Sequence, residues 1–320
     1  MLDFIRRFLL NLIFFTIIPL ILSIFSDIMS KTKEVNKMTV IFNLINKILA
    51  PILCILLSLT GGLNSIFNGN VAEFKDLGGV VGLETLARAQ GVTADGDDLI
   101  YSGKSVLERV SKDNKTILAI NTNAIPDELA ALGIKHIGGI SVYNGILYAS
   151  LEDSKVYHHP VIALYDANTL EFTGTYYELP TERHTKGVPW VAVDSEKGIL
   201  YAADWNNLTG VYMYDLETMD YIGELKYSEE IKNVQGGEVY NGKIYLGTND
   251  ITRSVYSVET ATGKAEKLFD RIAYEYKYID NFGGEGEDLT IAEYDGEMLI
   301  CTLQIGVTFT DATLRGYKIP

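Results

Sequence analysis

The chain has 320 residues and a formal net charge of -15, long enough for one large all-β domain or two small ones. The charge is uneven: residues 1–60 hold six Lys/Arg against three Asp/Glu, while from Gly61 onward twenty-one face thirty-nine, a net of about −18. So acidic a region repels phosphate backbones and anionic membrane surfaces, which excludes nucleic acid as its partner.

Two apolar runs open the chain. Phe8 to Phe25 is uncharged and follows Arg6 and Arg7; it is long enough to cross a bilayer. Ile48 to Leu59 follows Lys47 and resembles the apolar part of a signal peptide. Lys31, Lys33 and Lys37 lie between them, so both runs carry their positive flank on the N-terminal side, the side that stays in the cytoplasm. If both cross, the main domain returns to the cytoplasm; if one crosses or is cleaved, it is exported. Export is the reading adopted here. Met38 would start an ordinary signal sequence that ends in the small residues Thr60-Gly61-Gly62. Residues 1–60 are therefore expected to be a signal or transmembrane anchor that ties the chain to a membrane, with the main domain extracytoplasmic. Cys54 falls in the second run and Cys301 in an expected strand, so no disulfide between them is expected and cysteine usage does not fix the compartment.

Residues 61–86 read as a linker, with Val71 to Phe74 as a short strand. After Ala87 the chain repeats itself. His136 to Asp153 and Val234 to Asp250 share one layout: a strand, an Asn-Gly turn at Asn144-Gly145 or Asn241-Gly242, a second alternating strand, and a closing acid. Related openings occur at Gln90, Val188 and Gly283, with Asp-Gly turns at Gly96 and Gly296. Tyr165-Asp166 and Tyr214-Asp215, each with a Thr three residues after the Asp, mark strands that run into polar turns. Asp127 to Leu132, between the first two units, is the one plausible helical turn in that region. Units begin about 46 to 51 residues apart, the period of a four-stranded propeller blade. The expected fold is an all-β propeller over residues 87–320 with five four-stranded blades, six being left open if residues 61–86 hide more. The fifth unit ends one strand short, so a strand from residues 61–86, placed at Val71 to Phe74, is expected to close the ring and remove the free edge.

In a propeller the start of each inner strand and the end of each second strand meet at one face. That rule gathers Gln90, His136, Gln235, Glu238, Glu285, Glu287 and Asp288 with Glu152, Asp153, Asp204, Asn206, Asn249 and Asp250, and brings in Trp190. Asp153, Asp204 and Asp250 occupy near-equivalent positions and would suit Ca²⁺, with Asn206 and Asn249 as neutral oxygens; the competing reading makes them turn residues bonded to their own loops. Glu238, Glu285 and Glu287, with His136, are the candidates for acid–base work, since carboxylates crowded into a channel have pKa values driven apart. Equally, the adjoining glycines could serve only to let strands approach at a crowded axis, with the acids facing solvent. Gln90, Trp190, Gln235, Asp288 and His184 are the candidate ligand contacts, His184 reaching the mouth through a loop. His158-His159 reads as a solvated pair rather than a zinc site, because no metal-ligand spacing accompanies it. No nucleophile elbow, phosphate-binding loop or dinucleotide fingerprint is present.

The openings Gln90-Gly91, Gly236-Gly237-Glu238 and Gly284-Glu285-Gly286, with the Asp-Gly turns, resemble those of the plant-type glutaminyl cyclases, which are five-bladed propellers; metal-dependent, lactonase-like propellers are a second resemblance. The first implies that an acidic channel residue, Glu238 or Glu285, would help cyclise an N-terminal glutamine with loss of ammonia. The His136 opening and Pro189-Trp190 depart from that pattern. The functional expectation is a membrane-anchored or exported propeller that binds a small molecule, peptide or glycan at its channel mouth. The alternative is an enzyme at the same mouth, a cyclotransferase or a metal-dependent hydrolase, and the residues leave open whether the chain is an enzyme.

Overall fold

Two-residue turns set the register of the molecule. At Asn144-Gly145, Asn241-Gly242 and Asp295-Gly296 both residues have positive φ, the geometry that matches the twist of a hairpin and that Asn, Asp and Gly tolerate best. The computed structural model describes residues 71–154, 156–205, 207–272, 285–306 and 311–320; the two N-terminal apolar runs lie outside the described residues. No helix among the described residues is long and apolar enough to cross a membrane.

Five four-stranded antiparallel sheets follow. Blade 1 is β2 (Gly91–Asp95), β3 (Asp98–Ser102), β4 (Leu107–Ser111) and β5 (Ile117–Asn121). A short helix, α1 (Asp127–Ala131), leads to blade 2: β6 (His136–Tyr143), β7 (Ile146–Glu152), β8 (Val161–Asp166) and β9 (Phe172–Glu178). Blade 3 is β10 (Val191–Asp194), β11 (Ile199–Ala202), β12 (Leu208–Asp215) and β13 (Tyr221–Ile231), and blade 4 is β14 (Val234–Tyr240), β15 (Lys243–Thr248), β16 (Val255–Glu259) and β17 (Ala265–Phe269). Blade 5 contributes β18 (Glu285–Tyr294), β19 (Glu297–Ile305) and β20 (Asp311–Lys318), and its outer strand is β1 (Lys75–Val81) from the start of the domain. The inner strands pack in the cyclic order β2, β6, β10, β14, β18 and back to β2. The expected five-bladed ring is what forms.

The apolar residues sort into five clusters, one at each junction between neighbouring blades. Alternation along each strand sends one set of side chains to the preceding blade and the other to the following blade, so a blade is covered on both faces. The closing strand lies a few residues downstream of its expected place. Val71 makes only an isolated parallel bridge to Asp270, whereas β1 pairs along β20 from Lys75↔Gly316 to Val81↔Asp311. Burial decides the difference. Leu77 and Val80 enter the core between blades 5 and 1, each worth roughly 1.5–3 kcal/mol, while Phe74 stays 46% exposed. Gly79 lets β1 approach, since a Cβ there would lie 2.9 Å from the Thr313 Cα.

The polar endings of the third strands repeat as well. Asp166 Oδ1 accepts the N–H groups of Asn168 and Thr169 at 2.9 and 2.8 Å, and Asp215 Oδ1 those of Glu217 and Thr218 at 3.0 and 2.9 Å. These bonds hold both carboxyl groups below the usual carboxylate range.

Candidate functional site on the propeller axis

The glycine pairs at the inner-strand starts are needed because the strands converge there. The register slips between Ile137 and Ile140, between Val234 and Gly236, and between Gly286 and Leu289. Such bulges turn backbone N–H groups away from the ladder, and Asp288 collects them. Its Oδ2 accepts the N–H of Val92 at 3.2 Å and of Ile140 at 3.3 Å, and its Oδ1 that of Leu289 at 2.9 Å. One carboxylate thus ties β2, β6 and β18 together. A Cβ on Gly236 would collide with Asp288, and one on Gly139 would sit 3.0 Å from its Oδ2, so β14 and β6 also close against it. Asp288 is 0% exposed and seals the axis just inside the strand starts.

Glu238 lies one layer deeper. It follows Gly236 by two residues, and its carboxylate accepts the hydroxyls of Thr93 on β2 at 3.4 Å, Ser141 on β6 at 3.5 Å and Thr290 on β18 at 3.4 Å. The Ser141 hydroxyl in turn accepts the Val193 N–H of β10 at 3.1 Å, so all five inner strands meet in this layer. Part of the Glu238 surface still opens on the channel. Burial raises its carboxyl to about 7, against the lowering effect of the bonds it accepts. Burial likewise raises Asp288 well above the usual range, and the Glu238 charge adds to the effect. The glycines do admit a crowded axis, which Asp288 fills while Glu238 keeps part of its surface on the channel.

Outside Asp288 the described strand starts carry a group of polar side chains. His136 Nε2 lies 2.6 Å from Gln90 Oε1, and the Gln90 amide nitrogen donates to the Ala89 carbonyl at 2.6 Å. That second bond fixes the amide, so the imidazole donates from Nε2 and leaves Nδ1 as an acceptor. Nδ1 is buried without a hydrogen-bond partner and stands 3.6 Å from Glu152 Oε1. Burial lowers His136 to about 4, with the Lys104 charge adding to it, and raises Glu152 to about 7. A neutral imidazole therefore faces a carboxyl that exchanges its proton near neutrality. On the next side of the rim the half-exposed Trp205 donates from Nε1 to Gln235 Oε1 at 2.9 Å. Trp205 is a mouth residue that sequence reasoning passed over; its place directly after Asp204, at a second-strand end, was the available signal.

The other candidates disperse. Trp190 is 0% exposed and lies against Gly139 and Gly237, where added Cβ atoms would sit 2.8 and 2.9 Å from it; it is a core side chain, not a mouth contact. His184 is fully buried with Nε2 2.8 Å from the Tyr214 hydroxyl, in the core of the link to blade 3. Glu287 is buried one residue from Asp288 and is raised well above its usual range by burial and then by Glu285, which stays exposed. Asp153 accepts the His158 N–H at 3.0 Å, Asp204 the Thr185 hydroxyl at 2.8 Å, and Asp250 the Ser254 N–H and hydroxyl, both at 2.9 Å. Each aspartate serves its own neighbourhood, and no group of three or more His, Cys, Asp or Glu among the described residues could hold a metal ion. Asn206 lies outside the described residues.

No protein-family model matches the sequence, and no curated protein matches it. Among solved structures, a structural-genomics protein of unknown function from Bacteroides thetaiotaomicron is similar at 14% identity and a TM-score of 0.44, over 78% of this chain and 64% of that one. A chain of the mitotic checkpoint complex is similar at 8% identity and a TM-score of 0.38, over 71% of this chain and 61% of that one. The chain thus spans less than two thirds of the length of either. At these scores the likenesses carry no argument, and the fold is read from strand order and the five blade junctions.

Proposed function

We propose that this propeller is a binding module, exported or held at a membrane by its N-terminal apolar segment, which takes a peptide or glycan at the mouth formed by its inner-strand starts. One observation supports the reading: Asp288, wholly buried and bonded to backbone N–H groups of β2 and β6, stands on the axis just inside the strand starts, so a ligand would be held at the strand starts and not along the axis. Gln90, His136, Glu152 and Gln235 offer fixed polar groups there, and Trp205 offers an indole face for a sugar ring or a cationic group. The acidic balance of the domain favours a ligand that brings positive charge or many hydroxyl donors, such as a peptide with a free N-terminal amine. Binding to arrays of glycans and of free and acetylated peptides tests it. Ligands found with the unaltered protein should bind Trp205→Ala at least tenfold more weakly, and equal binding by the variant would sink the reading. Sequencing the N-terminus of the mature protein tests export; an intact Met1 on a chain protected inside cells would refute it.

A second reading, an enzyme at the same mouth, is supported by Glu152 beside His136 Nδ1, since a carboxyl raised to about 7 can give and take a proton at working pH. The glutaminyl cyclase resemblance makes ammonia release from glutaminyl peptides the assay. Glu152→Gln and Glu285→Gln should abolish or cripple turnover if the mouth is the site, whereas Glu238→Gln should matter less, because Asp288 stands between Glu238 and the mouth.

A further inference from the structure

We infer that β5, the outer strand of blade 1, pairs edge to edge with β5 of a second copy of this chain. β5 ends its sheet, so among the described residues no strand lies along its far side. Ile117, Leu118 and Ile120 on it are 53%, 50% and 48% exposed. The other outer strands carry the devices that discourage such pairing. β1 exposes Lys75 and Asp76 and has a positive φ at Gly78; β9 has a positive φ at Gly174; β13 exposes Glu224 and Lys226; β17 exposes Glu266 and Lys267. β5 has no charged residue, no proline and no positive φ. The ladders of all five outer strands slip at least once, that of β5 at Leu118, so a bulge does not set β5 apart; its uncharged, apolar edge does.

The strand's own sequence names a second copy as its occupant. Asn114-Lys-Thr-Ile-Leu-Ala-Ile-Asn-Thr-Asn123 has an apolar centre with polar flanks and keeps that pattern when read backwards. Two copies laid antiparallel about a two-fold axis between Leu118 and Ala119 set Ile117 against Ile120, Thr116 against Asn121 and Asn114 against Asn123. Each pair then occurs twice, as an isologous contact requires, and apolar meets apolar while polar meets polar. Lys115 falls opposite Thr122, so no like charges face each other, and no acid occurs between Asp113 and Asp127. A domain with a net charge of about −18 therefore repels its own copy little at this edge. The contact closes at two copies, because each chain offers one edge of this kind among its described strands. β5 is the outermost strand of its blade and Gln90 and His136 stand at inner-strand starts, so the inference does not rest on the proposed ligand.

The test is sedimentation equilibrium with hydrogen exchange on the full chain in a non-ionic detergent, from about 1 to about 100 micromolar. The unaltered protein should pass from one copy to two over that range, and the amides of β5 should exchange more slowly as it does. Ile117→Lys and Ile120→Lys each bring two unpaired charges into the contact and should weaken pairing by about tenfold or more. Ile222→Lys, at a similarly exposed place on β13, should leave it unchanged. A single copy at about 100 micromolar overturns the inference. So does a pair that both β5 variants keep, or one that forms without slower exchange in β5, since either puts the contact elsewhere in the chain. Should the lysine variants fail to fold, the exchange of β5 in the unaltered protein decides.

Discussion

Replacing Glu238 by Gln should make the protein's stability less dependent on pH, and the size of the effect follows from the axis. The Glu238 carboxyl is raised by burial from 4.5 to about 7, so the folded state holds its proton more tightly than the unfolded chain does. A group raised in this way supports folding fully below pH 4.5, and that support is lost as the pH rises through about 7. Over the rise from 4.5 to about 7, at about 1.4 kcal/mol per pH unit, the loss is at most about 3.5 kcal/mol, a ceiling that the partly open channel surface of Glu238 lowers. Gln keeps the shape and the contact with the hydroxyls of Thr93, Ser141 and Thr290 but has no proton to lose. Urea unfolding of both proteins at pH 4.5 and pH 8 is the assay. Glu238→Gln should match or fall below the unaltered protein at pH 4.5 and exceed it by about 1–3 kcal/mol at pH 8. A difference that is the same at both pH values, or that favours Glu at pH 8, would refute the account of a buried, proton-holding carboxyl on the axis.

Other expectations follow from the same geometry. Gly236→Ala places a methyl group into Asp288 where backbone stands on the far side, so it should cost more than about 3 kcal/mol in chemical unfolding or prevent folding outright. Leu77→Ala should cost about 2–4 kcal/mol, because it empties part of the core through which β1 closes the ring. Removing residues 75–81 altogether should replace the cooperative transition by a broad one with early exposure of β20, followed by hydrogen exchange. His184 is buried and held down to about 4, so the unfolded chain takes up a proton first as the pH falls from 6.5 to 4. Over that window His184→Gln should therefore lose less stability than the unaltered protein, by up to about 3 kcal/mol.

The ring itself was legible because each blade repeats turn chemistry that admits few alternatives: Asn-Gly and Asp-Gly pairs need positive φ, and Asp166 and Asp215 bind the N–H groups of the turns that follow them. The closing strand was legible in kind but not in place. Val71 to Phe74 has the stronger strand composition, yet Lys75–Val81, with two glycines, is the segment whose alternate apolar residues fit the gap between blades 5 and 1. At the site, local sequence marked which residues reach the axis and not how deep they lie. Asp288 and Glu287 are neighbours on a bulge, and the bulge sends Asp288 into the ring of N–H groups. Trp190 followed the rule for strand starts, but the missing side chains at Gly139 and Gly237 draw its ring into the core. The pairing of His136 with Glu152 is a cross-strand contact, present in the register and absent from any local motif.

The claim that the mouth at the inner-strand starts is the binding face, with the axis closed behind it, can be tested by a single comparison. Array binding of the unaltered protein would be set beside that of Trp205→Ala at the mouth and Tyr143→Ala at the turn on the opposite face. Ligands should be lost with Trp205→Ala and kept with Tyr143→Ala. Ligands kept by Trp205→Ala and lost with Tyr143→Ala would place recognition on the wrong side of the Asp288 seal and contradict the account.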